Sequence, residues 1–276
     1  MINAIDIKKL EEKSIVIRKH ILEMMKPPKF GHLGGSMSCA DIVTVLYYYK
    51  MKHDPANPTW EERDRLILSK GHSVLAQYAA LADLGYFPVE DIYNIKEINC
   101  HLQGHPDINK TVGIEANTGS LGQGLSIGVG ICLGSRIDKY KYNVYIIIGD
   151  GELQEGQIWE AAMAAVHYKL DNIIAIIDNN KLQATGVIKE RLDVGNIVSK
   201  WESFDWEVFE IDGHNIVEIA DALDKADEIR KPVCIVAHTI KGKGIRFAEN
   251  IPGFHKGCLT EDQYLEEIKK LSNAIK

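Results

Sequence analysis

The sequence reads as an α/β chain: a doubly wound, mainly parallel sheet flanked by helices. From residue 143 onward, strand-like and helix-like segments alternate. The strand-like runs, "NVYIIIG" and "NIIAIID" among them, are apolar and β-branched without a polar alternation, as strands covered on both faces are. Two of these runs stop abruptly, one at Gly149-Asp150-Gly151 and the next at Asn179-Asn180. Both stops lie at carboxyl ends of strands, where such sheets bind ligands.

The elements follow in order. Residues 6–25 form an amphipathic helix, with Leu10, Ile17, Ile21 and Leu22 among its apolar positions. "KPPKFGHLGGSMS" ends it with prolines and glycines, and Ser38 is expected to cap a second helix over 39–51. "RLILS" is a short apolar run, and "KGHSVLAQYAALADLG" a helix ending at Gly85. Residues 95–120 are a long polar segment carrying His101, His105, Asn117 and Gly119, a length that points to function in a compact domain. "LGQGLSIGVGICLGSRIDKY" is a helix rich in small residues. "NVYIIIG" is a strand, 155–169 a helix and "NIIAIID" a strand. Trp159, Met163 and Val166 share one face of that helix and are expected to pack on the sheet. "WEVFEID" and "PVCIVAHT" are strands with the helical "IVEIADALDKADEI" between them, and 260–274 is a closing helix. Without a repeat or a linker, residues 1–276 read as one domain.

The chain is 45% hydrophobic, enough for a full core. Its net charge of −7 argues against nucleic acid as the main partner. Cys39, Cys100, Cys132, Cys234 and Cys258 are odd in number and form no CxxC pair, which points to free thiols in a reducing compartment. The N-terminus interleaves charge with apolar residues, unlike a signal peptide, and no stretch is long enough to span a bilayer. A cytoplasmic protein without membrane contact is expected.

At the two strand ends, Asp150 and Asn180 offer a carboxylate and an amide oxygen, hard ligands that suit Mg²⁺ or Ca²⁺. If the strands are neighbours, both face one crevice. Gly149 and Gly151 let the backbone come close, and the helix starting near Glu155 favours a phosphate at its N-terminus. The chemistry implied is a metal-bridged diphosphate. A dinucleotide fingerprint is excluded because Gln154 stands where its third glycine belongs, and no Gly-Lys-Ser/Thr of a P-loop follows. Ordinary turns are the bland alternative for Gly-Asp-Gly alone; the Asn-Asn ending of the next strand weighs against it. Cys100, His101 and His105 match no zinc spacing.

A strand ending in GDG, a helix, and a strand ending in NN resemble the signature of thiamine-diphosphate enzymes, and "GDGELQEGQIWEA" is similar to transketolase. The resemblance covers nearly the whole chain. "FGHLGGSMSCADIVTVLYY" resembles the family's GHPGxPLG region, "LSKGHSVLAQYAAL" its SxGH segment, "GHPD" its GHPE and "EANTGSLGQGLSIGVG" its TGPLGQG. "DGHN", "TIKGKG" and "FHKG" follow in the family's order. The fold implied is the diphosphate-binding (PP-type) domain of that family.

By resemblance, Asp150, Asn180 and the Leu182 carbonyl would ligate Mg²⁺, with Ca²⁺ as a substitute. Gly151 would give its N–H to the diphosphate of thiamine diphosphate. Gly119, Ser120 and Leu121 would touch the aminopyrimidine, and Gly149 and Glu152 belong to the same cofactor-binding set. His32, His72, His105 and His255 resemble the histidines of the substrate channel. His72 and His255 would lie near the diphosphate and the sugar, His105 would hold the donor's first hydroxyl, and His32 and His255 would move protons at its C3 hydroxyl. Imidazole suits these tasks because it donates and accepts near neutral pH. Glu155 is either an acid at a helix start or a contact across a subunit interface. Ser120 replaces a usual proline, and Leu33 and Met37 also depart from the family pattern.

The resemblance stops at the first of the family's three domains. It implies a split transketolase, with the pyrimidine-binding and C-terminal domains on a separate C-terminal subunit in an α2β2 heterotetramer, acting on sugar phosphates by two-carbon ketol transfer. A 2-oxoacid dehydrogenase α subunit would lack the Gly-His channel. "TGSLGQG" disfavours a deoxyxylulose-phosphate synthase. A non-catalytic cofactor-binding subunit would not be expected to keep every metal and histidine position.

Overall fold

A computed structural model describes residues 2–275. Helix α1 (Ala4–Met24) starts at an Asn3 cap, whose side chain accepts from the N–H groups of Ile5 and Asp6. Helices α2 (Leu33–Ser38) and α3 (Ala40–Val45) follow, and α3 runs into a π-helical turn, Leu46–Lys50. Strand β1 (Arg65–Leu68) precedes α4 (Val74–Asp83), which ends before Gly85 at φ +83°. Residues 95–122 contain no helix or strand. Then come α5 (Gln123–Asp138), β2 (Val144–Gly149), α6 (Gly156–His167) and β3 (Ile173–Asn179). A small hairpin, β4 (Leu182–Gln183) and β5 (Gly186–Val187), leads to α7 (Ile188–Arg191) and α8 (Ile197–Ser203). The chain then runs through β6 (Glu207–Asp212), α9 (Ile216–Ala226), β7 (Val233–His238) and α10 (Glu261–Ala274). Helix α10 opens with a Thr260–Gln263 capping box.

The main sheet has five parallel strands in the order β1-β2-β3-β7-β6. The order reverses beside β3, because the chain leaves β3 for the far edge and returns through β7. Side-chain alternation splits the interior into two cores. Tyr145 and Ile147 of β2 face α1, α3, α4 and α9; Val144, Ile146 and Ile148 face α5 and α6. Both sets are buried, so β2 reads as one unbroken apolar run. Among the described residues no helix is long and apolar enough to cross a membrane.

Two expectations are corrected. Ser38 does not cap a helix over 39–51. The helical run begins at Leu33, and the Ser38 hydroxyl donates to Asp178, 2.5 Å away. Trp159, Met163 and Val166 do not form the most buried face of α6: Trp159 and Val166 are half-buried against the core, and Met163 lies outside it. That face is Ile158, Ala161, Ala162 and Ala165, while Met163 is 53% exposed. The alanines let α6 lie close to the sheet, and half-buried Trp159 packs at the edge of the core, stacked on Phe204 and meeting buried Trp201.

The buried and exposed positions should respond oppositely to truncation. Ile147→Ala is expected to lower the unfolding free energy by about 2–5 kcal/mol in urea titrations. Met163→Ala should stay within about 0.5 kcal/mol of the parent.

Candidate active site

Parallel pairing of β2 with β3 sets Gly149 opposite Asp178, so both polar strand ends open into one crevice beside the sheet's reversal point. A cavity of about 370 Å³ lies there. Of the residues singled out from sequence, His32, His72, His255, Gly119, Leu121, Gly149, Asp150, Gly151, Glu152, Glu155, Asn180 and Leu182 line it. His105 does not line it; the residue is exposed, with its ring 5.9 Å from that of His32. A Cβ on Gly119, whose φ is +135°, would come within 2.8 Å of the His105 ring. Ser120 is exposed and does not line the cavity.

The floor carries four charged side chains. Asp150 is buried and accepts N–H bonds from Gly151 and Lys181. Burial, reinforced by the nearby Asp178 charge, pushes its carboxyl up to about 7. Asp178 is fully buried and accepts from Lys70, Ser38, Thr239 and the Asn180 amide. Burial alone would raise its pKa; the Lys70 ammonium outweighs that and holds the carboxyl below its ordinary value. Lys70 also donates to the Gly35 carbonyl at 2.8 Å. Lys241 donates to the Leu182 carbonyl at 2.7 Å, and burial brings it down to about 8. Lys70, Asp178 and Lys241 did not stand out in the sequence, although each lies within or beside a motif, in "SKGH", before Asn-Asn and in "IKGKG".

Glu152 lines the cavity, yet its carboxylate is committed to the frame. It accepts from the N–H groups of Gly122 and Gly149 and from the Ser69 hydroxyl. These bonds tie the 119–122 loop to the end of β2. Glu155 is exposed at the rim beside Gly122.

Three of the histidines lie together in the lining. The rings of His32, His72 and His255 lie 4.9–5.5 Å apart. Burial, then neighbouring positive charge, lowers all four imidazoles, His32 to about 4 and His255 to about 3. All four are therefore neutral at pH 7, able to accept a proton or donate from one nitrogen.

The fit of a metal-bound diphosphate rests on this donor set. Asp150, Asn180 and Leu182 line the one cavity and offer a carboxylate, an amide and a carbonyl oxygen beside two lysines, and Nδ1 of His255 is buried without a partner. Oxygen donors with few charges suit Mg²⁺, which completes its shell with phosphate and water. Among the described residues no group of three or more His, Cys, Asp or Glu is placed to hold a metal.

Residues 11–274 match the family model for the transketolase thiamine diphosphate binding domain. The chain belongs to the transketolase family. It is 45% identical over 263 residues to a 6-deoxy-6-sulfo-D-fructose transketolase subunit of Clostridium sp. (strain MSTE9), covering 95% of this chain and 96% of that one. It is 40% identical to an apulose-4-phosphate transketolase subunit of Phocaeicola vulgatus, covering 96% and 95%. The crystal structure of transketolase from Campylobacter jejuni superposes with a TM-score of 0.89 at 33% identity, covering 96% of this chain and 43% of that one. The chain thus spans nearly all of the two transketolase subunits and less than half of the longer transketolase.

Two measurements check the site's electrostatics. Lys70→Met leaves Asp178 buried without its cation and is expected to cost about 3–5 kcal/mol of stability in denaturant titrations. The four histidines bind fewer protons folded than unfolded, so their contribution to stability should fall as pH drops from 6.5 toward 4, against the opposite contribution of the raised Asp150 carboxyl. His255→Gln should flatten that part of the pH–stability curve.

Proposed function

We propose that this chain is the diphosphate-binding subunit of a two-chain transketolase that moves a two-carbon ketol unit from a ketose phosphate to an aldose phosphate. The observation that carries the reading is one cavity lined by three neutral histidines, hard oxygen donors and two lysines, in a chain that matches two transketolase subunits over nearly their whole length.

Asp150, Asn180 and the Leu182 carbonyl would hold Mg²⁺, or Ca²⁺ in its place. Gly151, Lys241 and Lys70 would meet the diphosphate, and Gly119 and Leu121 would bear on the aminopyrimidine through the main chain. Bound there, thiamine diphosphate supplies a nucleophilic carbon and an electron sink for cleaving the bond beside a ketose carbonyl. His32 and His255, held neutral, would take and return the proton of the sugar's C3 hydroxyl. His105 would hold the first hydroxyl, and His72 would bridge toward the diphosphate. Ser120, being exposed, contributes through its backbone at most.

The remaining catalytic groups would come from a separate C-terminal subunit, in an α2β2 assembly. Exposed Glu155 at the cavity rim is free to meet that partner. The names of the two subunit relatives carry a sulfo sugar and a sugar phosphate; ketose and aldose phosphates are our assignment for this chain. The five free cysteines, three of them buried, fit a reducing cytoplasm.

The test is reconstitution. Mixed with its partner, thiamine diphosphate and Mg²⁺, the chain should catalyse ketol transfer that neither chain shows alone. Asp150→Ala should weaken metal-dependent cofactor binding by more than about 100-fold, beyond the usual loss for an outer-sphere partner. A mixture that binds cofactor but transfers no ketol unit would point to a non-catalytic subunit instead.

A further inference from the structure

Behind the cavity, away from metal corner and histidines, lies a buried polar chain that the site chemistry does not use. Asp41 of α3 accepts from both terminal nitrogens of Arg18 on α1, at 2.8 and 2.7 Å, and from the Ser14 hydroxyl. It accepts also from Nδ1 of His214, at 2.7 Å. On the far side of that imidazole, Nε2 accepts the main-chain N–H of Ile240 at 2.8 Å. One nitrogen donates to a carboxylate and the other receives an amide, so the neutral ring carries its proton on Nδ1. Arg18 reaches the same segment through Nε, which donates to the Lys243 carbonyl at 3.1 Å.

Ile240 and Lys243 bracket Lys241, whose side chain enters the cavity and whose neighbour Gly242 donates to the Gly34 carbonyl at 3.0 Å. The 240–243 segment has no sheet or helix of its own to hold it. Besides its own turn bonds and the Asn250 N–H on the Lys241 carbonyl at 2.9 Å, the segment is held by these few bonds, and two of them issue from the Arg18–Asp41–His214 chain. We propose that this chain is a latch that fixes where the Lys241 ammonium sits in the cavity, and that His214 is a positioning residue for diphosphate binding. The inference rests on the cofactor reading given above.

His214→Asn isolates the latch bond. Its amide can still donate to Asp41, so the buried carboxylate keeps its partners, but it is too short to accept from Ile240. His214→Gln places an amide oxygen near the former Nε2 and is the conservative rescue. In the chain combined with its partner subunit, binding of thiamine diphosphate with Mg²⁺ is measured by calorimetry, Ile240 amide exchange by mass spectrometry and ketol transfer by initial rates. For His214→Asn we expect faster exchange at Ile240, cofactor affinity about tenfold weaker, as the loss of one well-placed bond implies, and kcat at saturating cofactor within about twofold of the parent. Tm should stay within about 4 °C. His214→Gln should restore affinity. Unchanged affinity despite a freed Ile240 amide overturns the latch, as does a loss of Tm and kcat together that His214→Gln does not mend. If His214→Asn does not fold, a folded His214→Gln with tenfold weaker affinity overturns it as well, and parental affinity with a protected Ile240 amide upholds it. Failure of the parent complex to bind thiamine diphosphate is a different result: it refutes the cofactor reading itself.

Discussion

The buried pair of Lys70 and Asp178 is the constraint on which the site depends. Asp178 is the last acidic residue of β3 before the paired asparagines, and it gathers Ser38 from α2, Thr239 beyond β7 and Lys70 beyond β1. Lys70 in turn takes the Gly35 carbonyl. Segments from four places in the chain are thus joined at one ion pair at the sheet's carboxyl edge. A buried pair of this kind is weak evidence for stability, because desolvation offsets much of its attraction. Its value here is geometric: it sets His72, two residues from Lys70, against the α2 segment, and Asn180 beside Asp150.

The charge pattern extends that logic. Asp150 lies near Asp178 and is pushed up to about 7, while Lys241 is brought down to about 8. Each is held in a state whose ordinary charge is costly, and each would be relieved by a different part of one ligand. A divalent cation favours the Asp150 carboxylate, and a diphosphate favours the Lys241 ammonium. The histidine cluster answers the same field: next to lysines and deprived of water, its rings stay neutral. A cavity so arranged would take a cation and a polyanion together more readily than either alone.

Much of this was legible from residues. Parallel β-branched runs ending in Gly-Asp-Gly and Asn-Asn pointed to the sheet and to its binding edge, because hard ligands and glycines at strand ends have few structural uses in common. Of the three Gly-His pairs, those at His32 and His72 put their imidazoles in the cavity lining, while His105 lies outside it. Other parts were not legible for physical reasons. Lysine and aspartate are normally solvated, so nothing in the sequence set Lys70, Asp178 and Lys241 apart until the fold buried them. The β4–β5 hairpin has strands of two residues each, too short for a period to show. Met163 misled because spacing marks a helix face but not which face is pressed to the sheet; small Ala161, Ala162 and Ala165 won that place. Ser38 looked like a cap, the commonest use of serine before an apolar run, yet its hydroxyl serves Asp178.

The most direct measurement is an anomalous difference map from crystals of the chain with its partner, grown with Mn²⁺ and thiamine diphosphate. The account predicts a single metal peak bonded to the Asp150 carboxylate, the Asn180 amide oxygen and the Leu182 carbonyl, with the diphosphate between it and Lys241. A peak bound by other residues, or a diphosphate lodged away from the Gly149–Gly151 turn, would contradict it.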